Sequence, residues 1–386
     1  MKRHFLLLFM SLCCSLVMAD SLTDSLENAL KTAQGVQKVK TLNELFRTYL
    51  NSDPVKATGF TREALALATQ IEDTKGIAAS YNNLGIAYRN QGALEKALEY
   101  YLLSLKIYET LENKEGIATS KNNIGNIYTL KKDYGQAMKY FEESNKAFKE
   151  LGDQEKIIGS MNNLGNLHSD LQLYEQALKY YSQAWQLSQK SGKQFSDALS
   201  NMGNLFFRQG NYQRAIEYYL RALDLAKKEN DNLAILNITA NLGEVYARAG
   251  QGNKAEENLA AALAMSKLLQ ATLVEPQIYK SMSANYAKQG KMKEAYDLMM
   301  QYDAAREKIY GEESSRKIAQ MEMALNIQEK EKEVDALKKE DVIKSLELRN
   351  TRMIITSIVL GTIVLIAGFN LFFGTRKRHA NSNAPR

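Results

Sequence analysis

Apolar residues recur along most of this chain at spacings of three and four, which is the signature of one buried helical face. The pattern also repeats at long range. YNNLGIAYRNQGALEKALEYY begins at Tyr81, KNNIGNIYTLKKDYGQAMKYF at Lys121 and MNNLGNLHSDLQLYEQALKYY at Met161, each 40 residues after the last. LSNMGNLFFRQGNYQRAIEYY follows from Leu199 after a unit two residues shorter, then TANLGEVYARAGQGNKAEENL from Thr239 and YKSMSANYAKQGKMKEAYDLM from Tyr279. Each unit reads as two helices separated by a polar turn, so the expected fold class is all-α.

The invariant positions have a physical meaning. A small residue stands at Gly85, Gly125, Gly165, Gly203, Gly243 and Ser283, where two helices are expected to approach closely. Three residues later comes a ring at Tyr88, Tyr128, His168, Phe206, Tyr246 and Tyr286. Twelve residues past each small residue stands alanine, from Ala97 through Ala137, Ala177, Ala215 and Ala255 to Ala295, and one turn further Tyr101, Phe141, Tyr181, Tyr219, Leu259 and Met299 share its face.

This arrangement resembles the tetratricopeptide repeat, with its Leu-Gly, Tyr, Ala and aromatic signature. The period is longer than the family's commonest 34 residues and the closing proline is absent. The resemblance implies a right-handed superhelix whose first helices line a concave groove. Six units of about 40 residues are expected over 76–313, preceded by an N-terminal cap and a degenerate unit over 20–75, in which Leu45 and Ala57 hold the small and alanine registers.

Groove-facing positions follow from the family as those three before, one after, and four and five after each small residue. They are Asn82, Ile86, Arg89 and Asn90, then Asn122, Asn126, Thr129 and Leu130, then Asn162, Asn166, Ser169 and Asp170. The later units contribute Ser200, Asn204, Phe207 and Arg208, then Ala240, Glu244, Ala247 and Arg248, then Lys280, Ala284, Ala287 and Lys288. The middle of the groove is therefore amide-rich and its C-terminal end basic. Asn82, Asn122 and Asn162 have two readings: holding the backbone of an extended peptide, or bonding neighbouring repeats. For Asn83, Asn123, Asn163, Asn201 and Asn241, beside the helix contact, the second reading is the expected one. The Lys and Asn clamp by which some family members hold a peptide carboxylate is not reproduced.

Composition narrows the chemistry. Cys13 and Cys14 are the only cysteines, and of the three histidines only His168 lies in the body, so no thiolate or imidazole metal site is expected. Lys2, Arg3, Arg376, Lys377, Arg378 and Arg386 account for the whole formal charge of +6, leaving a neutral body that argues against nucleic acid. No nucleophile with a base, phosphate loop or cofactor site is apparent, and no enzyme is expected.

The two ends suggest export and anchoring. MKRHFLLLFMSLCCSLVMA (1–19) reads as a signal peptide, with an uncleaved anchor and an acylated Cys13 or Cys14 as the alternatives. Residues 314–352 read as a charged helical stalk of about 58 Å; its heptads start at Ile318, Met321 and Leu325 and break at Gln328 and Lys332, leaving a coiled coil and a homodimer open. Residues 353–373 are free of charge over about 31 Å and are expected to cross a bacterial membrane once, with the repeats on the exported side and a basic tail (374–386) in the cytoplasm. This order of parts resembles the sensory half of bacterial tetratricopeptide-repeat sensor histidine kinases, without an output domain. The expected function is a membrane-anchored module that binds a protein or peptide in its groove as adaptor or sensory subunit, with a separate kinase or regulator as a further partner; a passive envelope scaffold and a kinase vestige are the alternatives.

Overall fold

A computed structural model describes residues 22–192, 195–311, 334, 337–341, 343–362 and 368. The chain divides into two compact units, Met1–Ala319 and Gln320–Arg386. Within the first, a short helix α1 (22–32) precedes seven helix pairs. These are α2 (Gly35–Tyr49) with α3 (Pro54–Gln70), α4 (Thr74–Asn90) with α5 (Leu94–Thr110), α6 (Lys114–Leu130) with α7 (Tyr134–Leu151), and α8 (Gln154–Asp170) with α9 (Tyr174–Lys190). Then follow α10 (Asp197–Arg208) with α11 (Tyr212–Lys228), α12 (Asn232–Arg248) with α13 (Gly252–Leu268), and α14 (Glu275–Lys288) with α15 (Met292–Tyr310). Each helix packs mainly on its sequence neighbours, which makes the unit an all-α solenoid.

Local chemistry starts and stops these helices. Asp53, Asp73, Asn113, Asp133, Asp153, Asn211 and Asp231 each accept a bond from a backbone N–H two or three places into the helix they precede, satisfying donors that the first turn leaves free. Pro54 fits the first turn of α3, where no backbone donor is needed. Helices end by turning left-handed for one residue, as at Gly210 (φ 75°) and Gln172 (φ 61°), so that Asn211 and Leu173 can donate back to Phe206 and His168 carbonyls at 2.9 and 2.8 Å.

The small residues do what their position predicts. A Cβ added at Gly203 would lie 2.8 Å from the Tyr219 ring, and one at Gly125 would lie 2.7 Å from Phe141. Gly85 and Gly165 face Tyr101 and Tyr181 even more closely, and Gly243 faces Leu259. Ser283 keeps the close approach by donating its hydroxyl to the Ala295 carbonyl at 2.7 Å. Ala97, Ala137, Ala177, Ala215 and Ala255 are fully buried at the same contact. In three of the pairs the predicted ring packs on a second one: Tyr88 on Tyr100, Tyr128 on Tyr140 and Phe206 on Tyr218, at 5.3, 5.6 and 5.2 Å between centroids. His168 follows the same rule. It lies 5.0 Å from Tyr180, and its Nδ1 is bonded to the Leu164 carbonyl at 2.8 Å, so it is a packed side chain.

One contact is remote in sequence. The Thr272 N–H and hydroxyl both donate to the Asn51 carbonyl, at 3.1 and 3.2 Å, joining the turn of the first pair to the connection before the seventh. The ribbon of helices has thus come round far enough for its two edges to meet.

In the second unit, a helix α16 (343–362) is exposed along its length. Here the expectation of a membrane location has to be corrected: among the described residues no helix is long and apolar enough to cross a membrane. The apolar part of α16 runs from Met353 to Thr362, and Lys344, Glu347, Arg349 and Arg352 precede it. Of the expected span over 353–373, residues 363–367 and 369–373 lie outside the described residues. So do the expected signal peptide (1–19), the tail (374–386) and most of the first half of the expected stalk.

Gly203→Ala is expected to lower stability by about 1–3 kcal/mol, because the ring of Tyr219 has to give way inside a packed contact; urea unfolding followed by circular dichroism measures it. Gly159→Ala, with open space around the added Cβ, is the matched change expected to leave stability unchanged or slightly raised.

Candidate functional site

The candidate site lies along the first helices of the pairs, and it begins with the paired asparagines. Asn123 donates its amide to Asn82 Oδ1 at 2.8 Å, and Asn163 donates to Asn122 Oδ1 at 2.9 Å. One unit earlier, Asn83 donates to Asn43 Oδ1 at 2.9 Å, in a buried cluster that also holds Thr61 and Ser80. In the units of Gly125 and Gly165 the second asparagine therefore bonds the preceding unit's first, forming a ladder, whereas Asn83 bonds Asn43, which stands in the second register of the unit before. Inter-repeat bonding accounts for Asn83, Asn123 and Asn163 as expected, and it also occupies the acceptors of Asn82 and Asn122.

The asparagine after the small residue has another partner. Asn166 and Asn204 accept from the buried hydroxyls of Tyr181 and Tyr219, at 2.7 and 2.5 Å. In the unit of Gly85 this position is Ile86, and the Tyr101 hydroxyl beneath it is buried with no partner. In the unit of Gly125 the asparagine is present as Asn126 but the ring is Phe141. Burial pushes the phenols of Tyr101, Tyr181 and Tyr219 well above their ordinary pKa, so all three remain neutral donors.

The ladder stops where the repeat shortens. Helix α10 has 12 residues where the other first helices from α4 to α12 have 17, and beside it opens a cavity of about 520 Å³. Asn122, Asn162 and Asn166 line it together with Ser200 and Asn201. Asn162 is only 6% exposed, yet its Oδ1 has no hydrogen-bond partner. Residues the groove positions did not include, among them Phe148, Glu155, Lys156, Gly159, Phe195 and Asp197, also line the cavity. The signal for Gly159 was available, because it stands one helical turn before Asn162 on the same face.

The basic end is smaller and partly neutralised. Arg208 is ion-paired with Asp170. Glu244, Arg248, Lys280 and Lys288 line a second cavity of about 160 Å³, where Lys288 donates to the Ala247 carbonyl at 3.1 Å and Gln277 to Glu244 at 3.3 Å. Arg89 bonds its neighbour Asn90 at 3.1 Å. Thus the structure brings Asn122, Asn162 and Asn166 together at one place and Glu244, Arg248, Lys280 and Lys288 at another, while Asn82, Asn126 and Asn204 line neither.

The family model described as tetratricopeptide repeat matches residues 50–110, 116–190 and 194–267. This chain belongs to the tetratricopeptide repeat family. Among curated proteins, none matches it. Solved tetratricopeptide-repeat-like structures share its fold. NprR in complex with its cognate peptide NprX is 17% identical with a TM-score of 0.53, over 82% of this chain and 96% of that one. The Rap conjugation gene regulator of the plasmid pLS20, in complex with the Phr* peptide, is 19% identical with a TM-score of 0.53, over 71% and 74%. A Rap protein complexed with competence and sporulation factor is 15% identical with a TM-score of 0.51, over 81% and 94%.

Tyr181→Phe and Tyr219→Phe each remove a buried hydroxyl that donates to an asparagine at the surface, and are expected to cost about 1 kcal/mol. Tyr101→Phe removes a hydroxyl that bonds nothing, so its urea midpoint is expected to stay level or rise. A fall at Tyr101→Phe as large as at Tyr181→Phe would contradict this reading.

Proposed function

We propose that the repeats bind an extended peptide, or an extended segment of a protein, along the first helices, and that the chain acts as an adaptor or sensory subunit. The array over 76–313, with 20–75 as its cap, is the part that binds. The observation that carries this reading is the line of half-buried amides that runs from unit to unit and ends at an open polar cavity. Each asparagine used as an acceptor in the ladder keeps an amide donor, and a peptide backbone offers acceptors and donors at short intervals. A flat convex surface offers no such register. The solved neighbours support the reading as well, since three of them hold a peptide or a signalling factor in a similar fold.

A random heptapeptide library passed over the full-length chain, immobilised through a tag and read by mass spectrometry, tests the proposal. Selective retention of a subset is expected, and retention should fall at least tenfold, about 1.4 kcal/mol, when Asn122, Asn126, Asn162 and Asn166 are changed together to alanine. Retention unaffected by the four changes would move binding out of the groove. An empty column would remove the peptide reading itself.

A further inference from the structure

The basic end of the groove is built differently from the rest. Its cavity of about 160 Å³ is lined from α12 and α14, the first helices of the sixth and seventh pairs. In earlier pairs the residue after the small one is Asn126, Asn166 or Asn204, and the fourth after it is Thr129, Ser169 or Phe207. Here the corresponding positions hold Ala284 on α14 and Ala247 on α12, and both alanines line the cavity. Lys280, Ala284 and Lys288 follow one another at intervals of four, which sets them on one face of α14 with Ser281 beside them. Short side chains thus open a space that longer, charged ones surround.

Donors dominate that wall. Arg248 and Lys280 line it and form no ion pair or hydrogen bond among the described residues. Lys288 gives one of its three hydrogens to the Ala247 carbonyl at 3.1 Å and keeps two. Ser281 is only 7% exposed, yet it lines the cavity and its hydroxyl has no partner among the described residues. A hydroxyl so placed calls for an acceptor from outside the protein. Glu244 is the one acid in the wall, and it already accepts from Gln277 at 3.3 Å. Three cations against a single carboxylate leave an excess of positive charge. A cationic ligand would add to the repulsion, and an apolar one would cover Ser281 without giving it a partner.

We infer that this cavity takes a carboxylate of the bound peptide, from its C-terminus or from an aspartate or glutamate side chain, with Arg248 and Lys280 supplying the opposite charge and Ser281 donating to one of its oxygens. A carboxylate only accepts, and its two oxygens can take bonds from several sides at once, which suits donors arriving from two helices. At about 160 Å³ the cavity is well below the size of a pocket that encloses a whole small ligand, about 300 Å³ or more, so it fits one terminal or side-chain group. No asparagine is among its lining residues, which separates it from the Lys and Asn clamp that this chain does not reproduce. The inference rests on the peptide reading above and adds to it the group that fixes the peptide's register.

The heptapeptide library, passed over the full-length chain in free-acid and C-terminally amidated forms, decides it. If the C-terminus is the group, amidation should lower retention about tenfold, as for loss of a charge-assisted contact. If a side chain is, both forms should be retained with aspartate or glutamate enriched at one position, and its change to the amide should cost a similar factor. In either case Arg248→Gln combined with Lys280→Gln should weaken the carboxylate peptides about tenfold and their amide counterparts little. Lys267→Gln combined with Lys293→Gln removes the same charge from exposed positions of α13 and α15 outside the cavity, and should change neither. Ser281→Ala should weaken the carboxylate peptides about threefold, with circular dichroism reporting that the helices persist. Arg248 and Lys280 are exposed, so the paired change keeps the test valid even if Ser281→Ala unfolds. Retention indifferent to amidation and without acidic enrichment would overturn the inference while leaving the groove reading intact. A loss at the α13 and α15 pair as large as at Arg248 and Lys280, or no loss at either, would also overturn it, and an empty column would overturn both.

Discussion

Everything in the repeat array depends on how closely the two helices of each pair approach one another. Glycine at one helix and a large ring on the other set that distance: no Cβ can be accommodated opposite Tyr101, Phe141, Tyr181 or Tyr219 without movement. Because the ring is drawn under the first helix, its hydroxyl emerges beside the residue that follows the glycine, and Asn166 or Asn204 meets it there. The same approach holds the outer aromatic stack in place and leaves the remaining face of the first helix for the groove. A single contact therefore determines both the packing and which face of the first helix is left free.

Repetition turns that contact into a solenoid, and the exception in the repetition opens the candidate site. From the unit of Gly85 to that of Gly165 the period is constant and the asparagines bond one another from pair to pair. Where one unit is two residues shorter, the ladder ends at Asn162 and a polar cavity opens beside α10. Closure between Asn51 and Thr272 adds a second constraint, since it joins the two edges of the ribbon around the groove.

Much of this was legible in the sequence. The period, the small residues, the invariant alanines and the packed role of His168 all follow from spacing, because helix–helix contact is a local, periodic requirement. The partition of the asparagines was less so. Asn82 and Asn83 differ by one position, or about 100° of helix rotation, yet both serve the ladder, and no spacing rule says which carbonyl an amide from the next unit will choose. The two-residue deletion was visible, but its consequence depends on where α10 begins. Asn51 and Thr272 are 221 residues apart, and their meeting depends on the summed rotation of every pair between them. The apolar run at 353–373 illustrates the reverse: hydropathy alone suggested a span, and the described helix α16 does not provide one.

Backbone hydrogen–deuterium exchange of the full-length chain, with and without the retained peptides, tests the central claim that the first helices carry the binding face. Slower exchange is predicted over α6, α8 and α10, with the outer helices α7, α9 and α11 little changed. Protection confined to the outer helices, or spread evenly over every pair, would contradict the account.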